Sequence, residues 1–312
     1  MFTIARLFPV LVVIVSLLAW FEPEGLNGLG EAVLPLLTIT LFCLGLILRP
    51  ADFRRLWNNP SALAMGLLLQ FILMPVLAFA SASLLQLNTD LTLGLIITGA
   101  CAGAIAAPAF TLLARGDIAL AFCLSLLSAL LSIVHAPWMI SFFTGSDLSV
   151  ATTTMLQNIV TLMLLPLLAG MLCHRFIPAV SKSLQPQMDT IISLLMLLVI
   201  AITVANGRME LSMSGAVTAS VVAAVVLYNL LALALAYALP RWNGHTDAEA
   251  RTIALSVGLQ QNSSAMALVL QAGGLLANLP VVIYNLTQYI SAGLLAGLWP
   301  WQINRRLRKL RS

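Results

Sequence analysis

Between two apolar runs, Thr252 to Val257 and Ala265 to Leu270, stands the stretch Gly258-Leu259-Gln260-Gln261-Asn262-Ser263-Ser264, with five polar side chains in a row. Amides and hydroxyls carry no charge, and Ser263-Ser264 has no base beside it, so what this stretch offers is hydrogen bonding. Inside a greasy segment such groups are costly unless they face a cavity, pack within a bundle or interrupt a helix. Two readings stand: bonds across a helix–helix interface, or the lining of a pathway. A second stretch, Gly99-Ala100-Cys101-Ala102-Gly103-Ala104-Ile105-Ala106-Ala107-Pro108, weakens helix by composition. Pro108 has no N–H and the glycines cost helix stability, so the segment either kinks there or breaks and restarts at Pro108. In the first stretch Asn262 or Ser263 can cap a half-helix running to Leu270. If both segments break, half-helix N-termini meet and favour an anion, while opposed C-terminal carbonyls favour a cation.

The elements that must position these groups are membrane spans. The chain has 312 residues, 61% hydrophobic and only 8% charged, with a mean hydropathy of +1.02. Soluble domains carry about a quarter charged residues, so this is an integral membrane protein in contact with a lipid bilayer. The net charge of +4 is spread over loops and a basic tail at 305–312, which gives no nucleic-acid surface. The four cysteines (Cys43, Cys101, Cys123, Cys173) lack metal spacing and read as small apolar residues. Apolar runs predict ten transmembrane helices, at about 5–21, 31–49, 60–86, 91–115, 117–144, 152–179, 186–207, 213–239, 249–275 and 280–303. With both termini in the cytoplasm, every lysine and arginine except Arg208 falls inside, and Glu22, Glu24, Glu31, Asp90, Asp147 and Glu210 fall outside. That is the topology of a multi-pass protein of the inner membrane. Trp20, Trp57, Trp242, Trp299 and Trp301 stand near span ends, as aromatic belts do.

Ten spans make two sets of five with opposite orientation. Polar residues recur at matching places, Gln70 in span three and Asn229 in span eight, and the two interrupted stretches fall in spans four and nine. Interruptions at corresponding positions of inverted halves point to a transporter site. A proton relay would need an intramembrane Asp, Glu or His. Asp189, near the inner end of span seven, reads as interfacial, and His135, late in span five beside Pro137, reads as structural.

Three pieces carry a family resemblance: Gln70 to Pro75 (QFILMP), Leu113 to Asp117 (LARGD) and Ser256 to Gln260 (SVGLQ), with weaker support from Leu34 to Asp52. Together they make the chain similar to the bile acid:sodium symporter family, from about Leu34 to about Gly297. The resemblance implies an all-α membrane fold of two inverted five-helix repeats, with helices four and nine broken and crossed. It implies a panel (1–58 and 150–210) packed beside a core (59–149 and 211–304). It also implies sodium-driven movement of organic anions such as bile acids, pantoate-like acids and sulphated steroids.

The departures bear on sodium. Where family members carry Gly-Gly-Thr-Ala-Ser-Asn, this chain reads Gly103-Ala104-Ile105-Ala106-Ala107-Pro108, so Ala107 and Pro108 replace the sodium-ligating Ser and Asn. In span five the ligand hydroxyls correspond to Ala121, which has none, and Ser125, which has one. The carboxylate shared by the family's two sodium sites is replaced by Ser256. What remains of the ion-site positions is Gln70, Ser125, Ser256 and Gln260, with backbone carbonyls at Val257 and Leu259. A hard cation wants several oxygens and a compensating carboxylate, so sodium binding is expected to be weak or absent, and no other cofactor or metal is expected. The substrate-side residues are expected to be Gln261, Asn262, Ser263, Ile105, Ala106 and Pro108. The expectation is a secondary transporter of a small organic anion by alternating access, and not an enzyme. The alternative is a non-transporting membrane receptor or sensor that keeps the pocket. Oligomeric state is not legible.

Overall fold

A chain this apolar has few ways to satisfy its backbone, and it takes the local one, with every named element a helix. The structure, a computed structural model, describes residues 4–26, 28–58, 60–144, 152–214, 219–272 and 274–309. Asp147 and Arg311, placed in the sequence reading on opposite sides of the membrane, lie outside the described residues.

The helices are α1 (Ile4–Phe21), α2 (Val33–Gly45), α3 (Pro50–Asn58), α4 (Ser61–Leu84), α5 (Thr89–Ala100), α6 (Ala107–Leu113), α7 (Ile118–Thr144) and α8 (Leu156–Phe176). They continue with α9 (Met188–Ser214), α10 (Ala219–Trp242), α11 (Asp247–Gly258), α12 (Asn262–Ala272) and α13 (Gly274–Lys309). Six helices among the described residues are long and apolar enough to cross a membrane alone. A seventh candidate is the pair Leu29–Gly45 and Pro50–Trp57, bent by 88°.

The count falls below ten for local reasons. The stretch expected as span four is divided into α5 and α6, and that expected as span nine into α11 and α12, so no single piece has spanning length. The apolar part of α1, Leu7–Phe21, is also short of it. Outward-facing Phe21, Val134, Phe142 and Phe176 are all more than 70% exposed, as residues meeting hydrocarbon rather than water would be.

Some of the helix starts follow cap chemistry. Asn88 Oδ1 accepts the Leu91 N–H at 2.9 Å and opens α5. Thr246 and Glu249 form a reciprocal capping box that opens α11. Thr246→Ala removes one half of that box. It should cost about 1 kcal/mol, read as a fall of roughly 2–4 °C in the midpoint of a detergent melt.

α4 carries a π turn at Leu69–Leu73, just before Pro75. It turns Gln70 inward, where its side chain is buried. The broken pieces sit among α4, α7, α10 and α13, which supply every side chain that reaches them below.

Candidate functional site

Both interruptions predicted from sequence are true breaks. α5 stops at Ala100 and α6 starts at Ala107; α11 stops at Gly258 and α12 starts at Asn262. The restart at Ala107 puts Pro108 in the first turn, where a missing N–H costs nothing. Asn262 does not cap α12 but begins it, and its side chain turns to α13 instead.

A break strands N–H and C=O groups away from water, and these must find partners. The two breaks solve this by pairing with each other as a single antiparallel bridge, Gly103 to Gln260. Ala104 N donates to Leu259 O at 2.9 Å, and Gln261 N to Ala102 O at 2.8 Å. Ile105 N reaches Gln261 Oε1 at 3.3 Å. The approach is close enough that a Cβ on Gly103 would stand 2.8 Å from Ser256 O, so the position needs glycine.

The remaining carbonyls of the breaks take side-chain donors. Gln70 Nε2 donates to Cys101 O and to Gln260 Oε1, both at 2.9 Å. Gln260 Nε2 donates to Val257 O at 2.7 Å. On the other side, Gly258 O accepts from Asn229 Nδ2 at 3.1 Å and from the Tyr284 hydroxyl at 2.9 Å. Gln70 and Asn229, matched in the sequence reading, thus do the same work for opposite breaks. From α7, Ser128 Oγ accepts the Gly103 N–H at 3.0 Å and Ser125 Oγ donates to Ala104 O at 3.0 Å.

A cavity of about 660 Å³ reaches down to the paired breaks from the end of the bundle where Glu31 and Glu210 lie. Ile105, Gln260, Gln261, Asn262 and Ser263 line it. Ala106 and Pro108, expected on the same side, are buried and are not among its lining residues. Pro108 faces inward because its ring fills the first turn of a short buried helix. Three contributors from α13 were not singled out from sequence: Tyr284, Asn285 and Gln288. Their signal was present, since Tyr284, Gln288 and Ser291 recur at helical spacing along one face of an apolar span.

The amide orientations on the cavity floor follow from one backbone group. Gln260 N–H can only donate, so the Gln288 atom 2.6 Å away is Oε1. Gln288 Nε2 therefore donates, to Gln260 O at 3.1 Å and Asn285 Oδ1 at 3.3 Å. Asn262 Nδ2 donates to the same Asn285 oxygen at 2.9 Å. Asn262 Oδ1 is then an acceptor with no protein partner, on a side chain only 8% exposed. Buried acceptors left in this state seek a donor from whatever enters.

The sequence model of the Sodium Bile acid symporter family matches residues 34–207, more than half of the chain. The chain belongs to that family. It is similar to an uncharacterized sodium-dependent transporter, YocS, of Bacillus subtilis (strain 168), at 27% identity over 96% of this chain and 92% of the relative. It is also similar to the probable chloroplastic sodium/metabolite cotransporter BASS1 of Arabidopsis thaliana, at 28% identity over 95% of this chain and 74% of that protein. The probable chloroplastic cotransporter BASS2 of Oryza sativa subsp. japonica is 28% identical over 86% of this chain and 63% of its own length. The family and these relatives are transporters, not enzymes.

A sodium ion of the kind that the relatives' names imply would need oxygens turned toward it. Here the groups at the family's ion-site positions do not fit one. Ser256, where the family resemblance implies a carboxylate, is 2% exposed, and its hydroxyl has no partner. Val257 O is taken by an amide donor and Leu259 O by the Ala104 N–H. Gln70 and Gln260 are turned to each other, and Ser125 is spent on the loop backbone. Amide N–H groups stand where a cation would bring its charge, and no carboxylate is among these residues to balance one.

Proposed function

We propose that this protein is a secondary transporter of a small organic anion that works by alternating access without sodium coupling. In this reading the chain crosses the inner membrane ten times, with both termini in the cytoplasm and two inverted five-helix repeats. Residues 1–58 and 150–210 form a panel that moves against a core of 59–149 and 211–304.

The observation that carries the reading is that the cavity ends on the paired breaks rather than on a plain helix face. That places backbone dipoles and fixed amides at the bottom of a solute-sized space. Among the described residues no lysine or arginine lines it, and Glu31 and Glu210 stand at its mouth. The anion's charge is thus met by neutral donors, the Gln261 and Asn285 amides. Leu37, Ile105, Met266 and Val282 offer apolar contact to the rest of it. This suits a monovalent carboxylate or sulphate on a large apolar body, as a bile acid is.

The opposite end is tied by polar contacts beside a smaller cavity of about 410 Å³. Arg55 of α3 pairs with Asp117, Asp117 N donates to Thr252 Oγ1 at 2.7 Å, and Arg251 Nη2 donates to Arg115 O at 3.0 Å. With the termini inside, these contacts are cytoplasmic and the larger cavity is open to the outside. Of these contacts the Arg55–Asp117 pair alone joins panel to core, and it must part in the inward-open state.

Counterflow of radiolabelled taurocholate and a panel of smaller carboxylates in proteoliposomes tests the reading. Exchange of at least one of them supports it. Binding of a ligand with no exchange would instead favour a receptor that keeps the pocket. For a solute that exchanges, Asn262→Leu should lower uptake by roughly tenfold through loss of one polar contact. Its thermal midpoint should stay within about 3 °C of the native one, because the orphaned acceptor disappears with the amide.

A further inference from the structure

One carbonyl of the breaks is held by a group that can carry charge. Ala100 is the last residue of α5, and its carbonyl belongs to a helix end with no internal donors. His135 of α7 meets it with Nδ1 at 3.2 Å. A carbonyl only accepts, so Nδ1 carries a hydrogen in this arrangement. The carbonyl of Phe71, in the π turn of α4, also lies beside the ring. Four residues beyond Phe71 stands Pro75, which has no N–H to offer that carbonyl. The Phe71 ring packs edge-on to His135 at 4.6 Å between centroids, and the Trp138 ring lies at 6.2 Å.

A neutral imidazole holds the Ala100 carbonyl with one N–H. An imidazolium keeps that bond and adds a positive charge at the C-terminal end of a half-helix, where a cation is favoured. Among the described residues, the packed surroundings supply no other charge. α4 has no ionisable residue, and neither has α12, whose Ala265 and Leu268 pack in one apolar cluster with Ala136. α5 brings only Asp90, ten residues before Ala100 and about 15 Å along the helix. The Cys101 thiol next to the break and Cys123 on α7 itself are the remaining titratable groups of these elements.

We propose that His135 is a proton-binding site of the paired breaks, and that a bound proton there supplies the positive charge which the altered sodium positions no longer take. Hydronium gives the proton, its O–H bond breaking to leave water, and the proton bonds to Nε2, the ring nitrogen left bare in the neutral form. His135 is therefore more than the structural residue its sequence position suggests. The binding site stands on this geometry alone, while the coupling role rests on the transport reading above.

Trp138 is the reporter, since an imidazolium beside an indole quenches its fluorescence. The signal is the difference between the native protein and Trp138→Phe in lipid nanodiscs, titrated from about pH 5 to about pH 9. A single transition in the native difference signal, absent in His135→Gln, is the expected result. No transition, or the same transition in His135→Gln, overturns the site. His135→Arg, with a fixed charge, serves as the second variant and should also be flat.

Taurocholate uptake into proteoliposomes then tests coupling. An inward proton gradient should raise the initial native rate by at least about fivefold and leave both variants unmoved. An equal response in native protein and His135→Gln overturns the coupling role. Absence of taurocholate movement under any gradient counts against the transport reading, and the fluorescence titration still decides the site.

Discussion

Gln260→Ala should lower the thermal midpoint of the purified protein by roughly 10 °C. Gln260 is 1% exposed, and its side chain holds both halves of a bond chain, accepting from Gln70 Nε2 and donating to Val257 O. Truncation strands the Val257 carbonyl and one hydrogen of the Gln70 amide. Each stranded group costs about 1–3 kcal/mol, and the space left by the amide adds to that. A loss of about 4 kcal/mol, at roughly 2–3 °C per kcal/mol for a chain of this size, gives the expected shift. Melts followed by tryptophan fluorescence in detergent measure it. The pair should also be non-additive: Gln70→Leu and Gln260→Leu together should cost less than the sum of the two singles, because neither then leaves the other's amide unmatched. A fall of less than about 3 °C for Gln260→Ala would mean that water serves these groups and that the breaks are not held by amides.

Ser256→Glu should create sodium dependence that the native protein lacks. The position is 2% exposed, its hydroxyl is unpartnered, and the family resemblance implies a carboxylate there. An uncompensated charge there costs several kcal/mol, so the variant should melt at least about 5 °C below native in potassium buffer. Sodium at a hundred times its dissociation constant would return about 2.7 kcal/mol, and the midpoint should recover by roughly 5 °C or more. The Gln260 side chain must release Val257 O for the ion, so sodium and the Gln70–Gln260 pair compete for the same carbonyls. The native protein should show no sodium-dependent shift in the same melts. A variant equally stable in both salts would show that the carboxylate alone does not set cation preference at these breaks.

Much of this site was legible in the sequence, and the reasons are particular. Five polar residues from Gln260 to Ser264 are costly in an unbroken apolar helix, and Pro108 after two glycines predicts either a kink or a break. Gln70 and Asn229 stood out because each is alone in its apolar run. What did not show was direction. Asn262 has the composition of a cap, yet it opens α12 because Gln261 N is already paired across the break. Ala106 and Pro108 share the second interruption with Ile105, but only Ile105 turns to the cavity, and no composition rule separates them. Asn285 and Gln288 were hidden because Tyr284 and Ser291 on the same face also resemble ordinary interhelical glue. His135 read as structural because neither the π turn that brings Phe71 O near it nor the exact end of α5 at Ala100 could be placed from sequence. The number of spans was read from length and hydrophobicity, and breaks are where those two cease to travel together.

The tied end also has a testable logic. Arg55 is well exposed, so its pair with Asp117 contributes little to stability. Under the proposed alternating access its weight lies in which state it favours, since it ties α3 to the loop before α7.

The central claim is that amide donors have taken the place of sodium at the breaks. Initial rates of taurocholate uptake by the native protein in proteoliposomes test it most directly, measured with an inward sodium gradient and with an equal potassium gradient at the same pH and voltage. The two rates should agree within about twofold, less than the tenfold that 1.4 kcal/mol of coupling would give. Uptake that requires the sodium gradient and collapses when it is dissipated would contradict the claim.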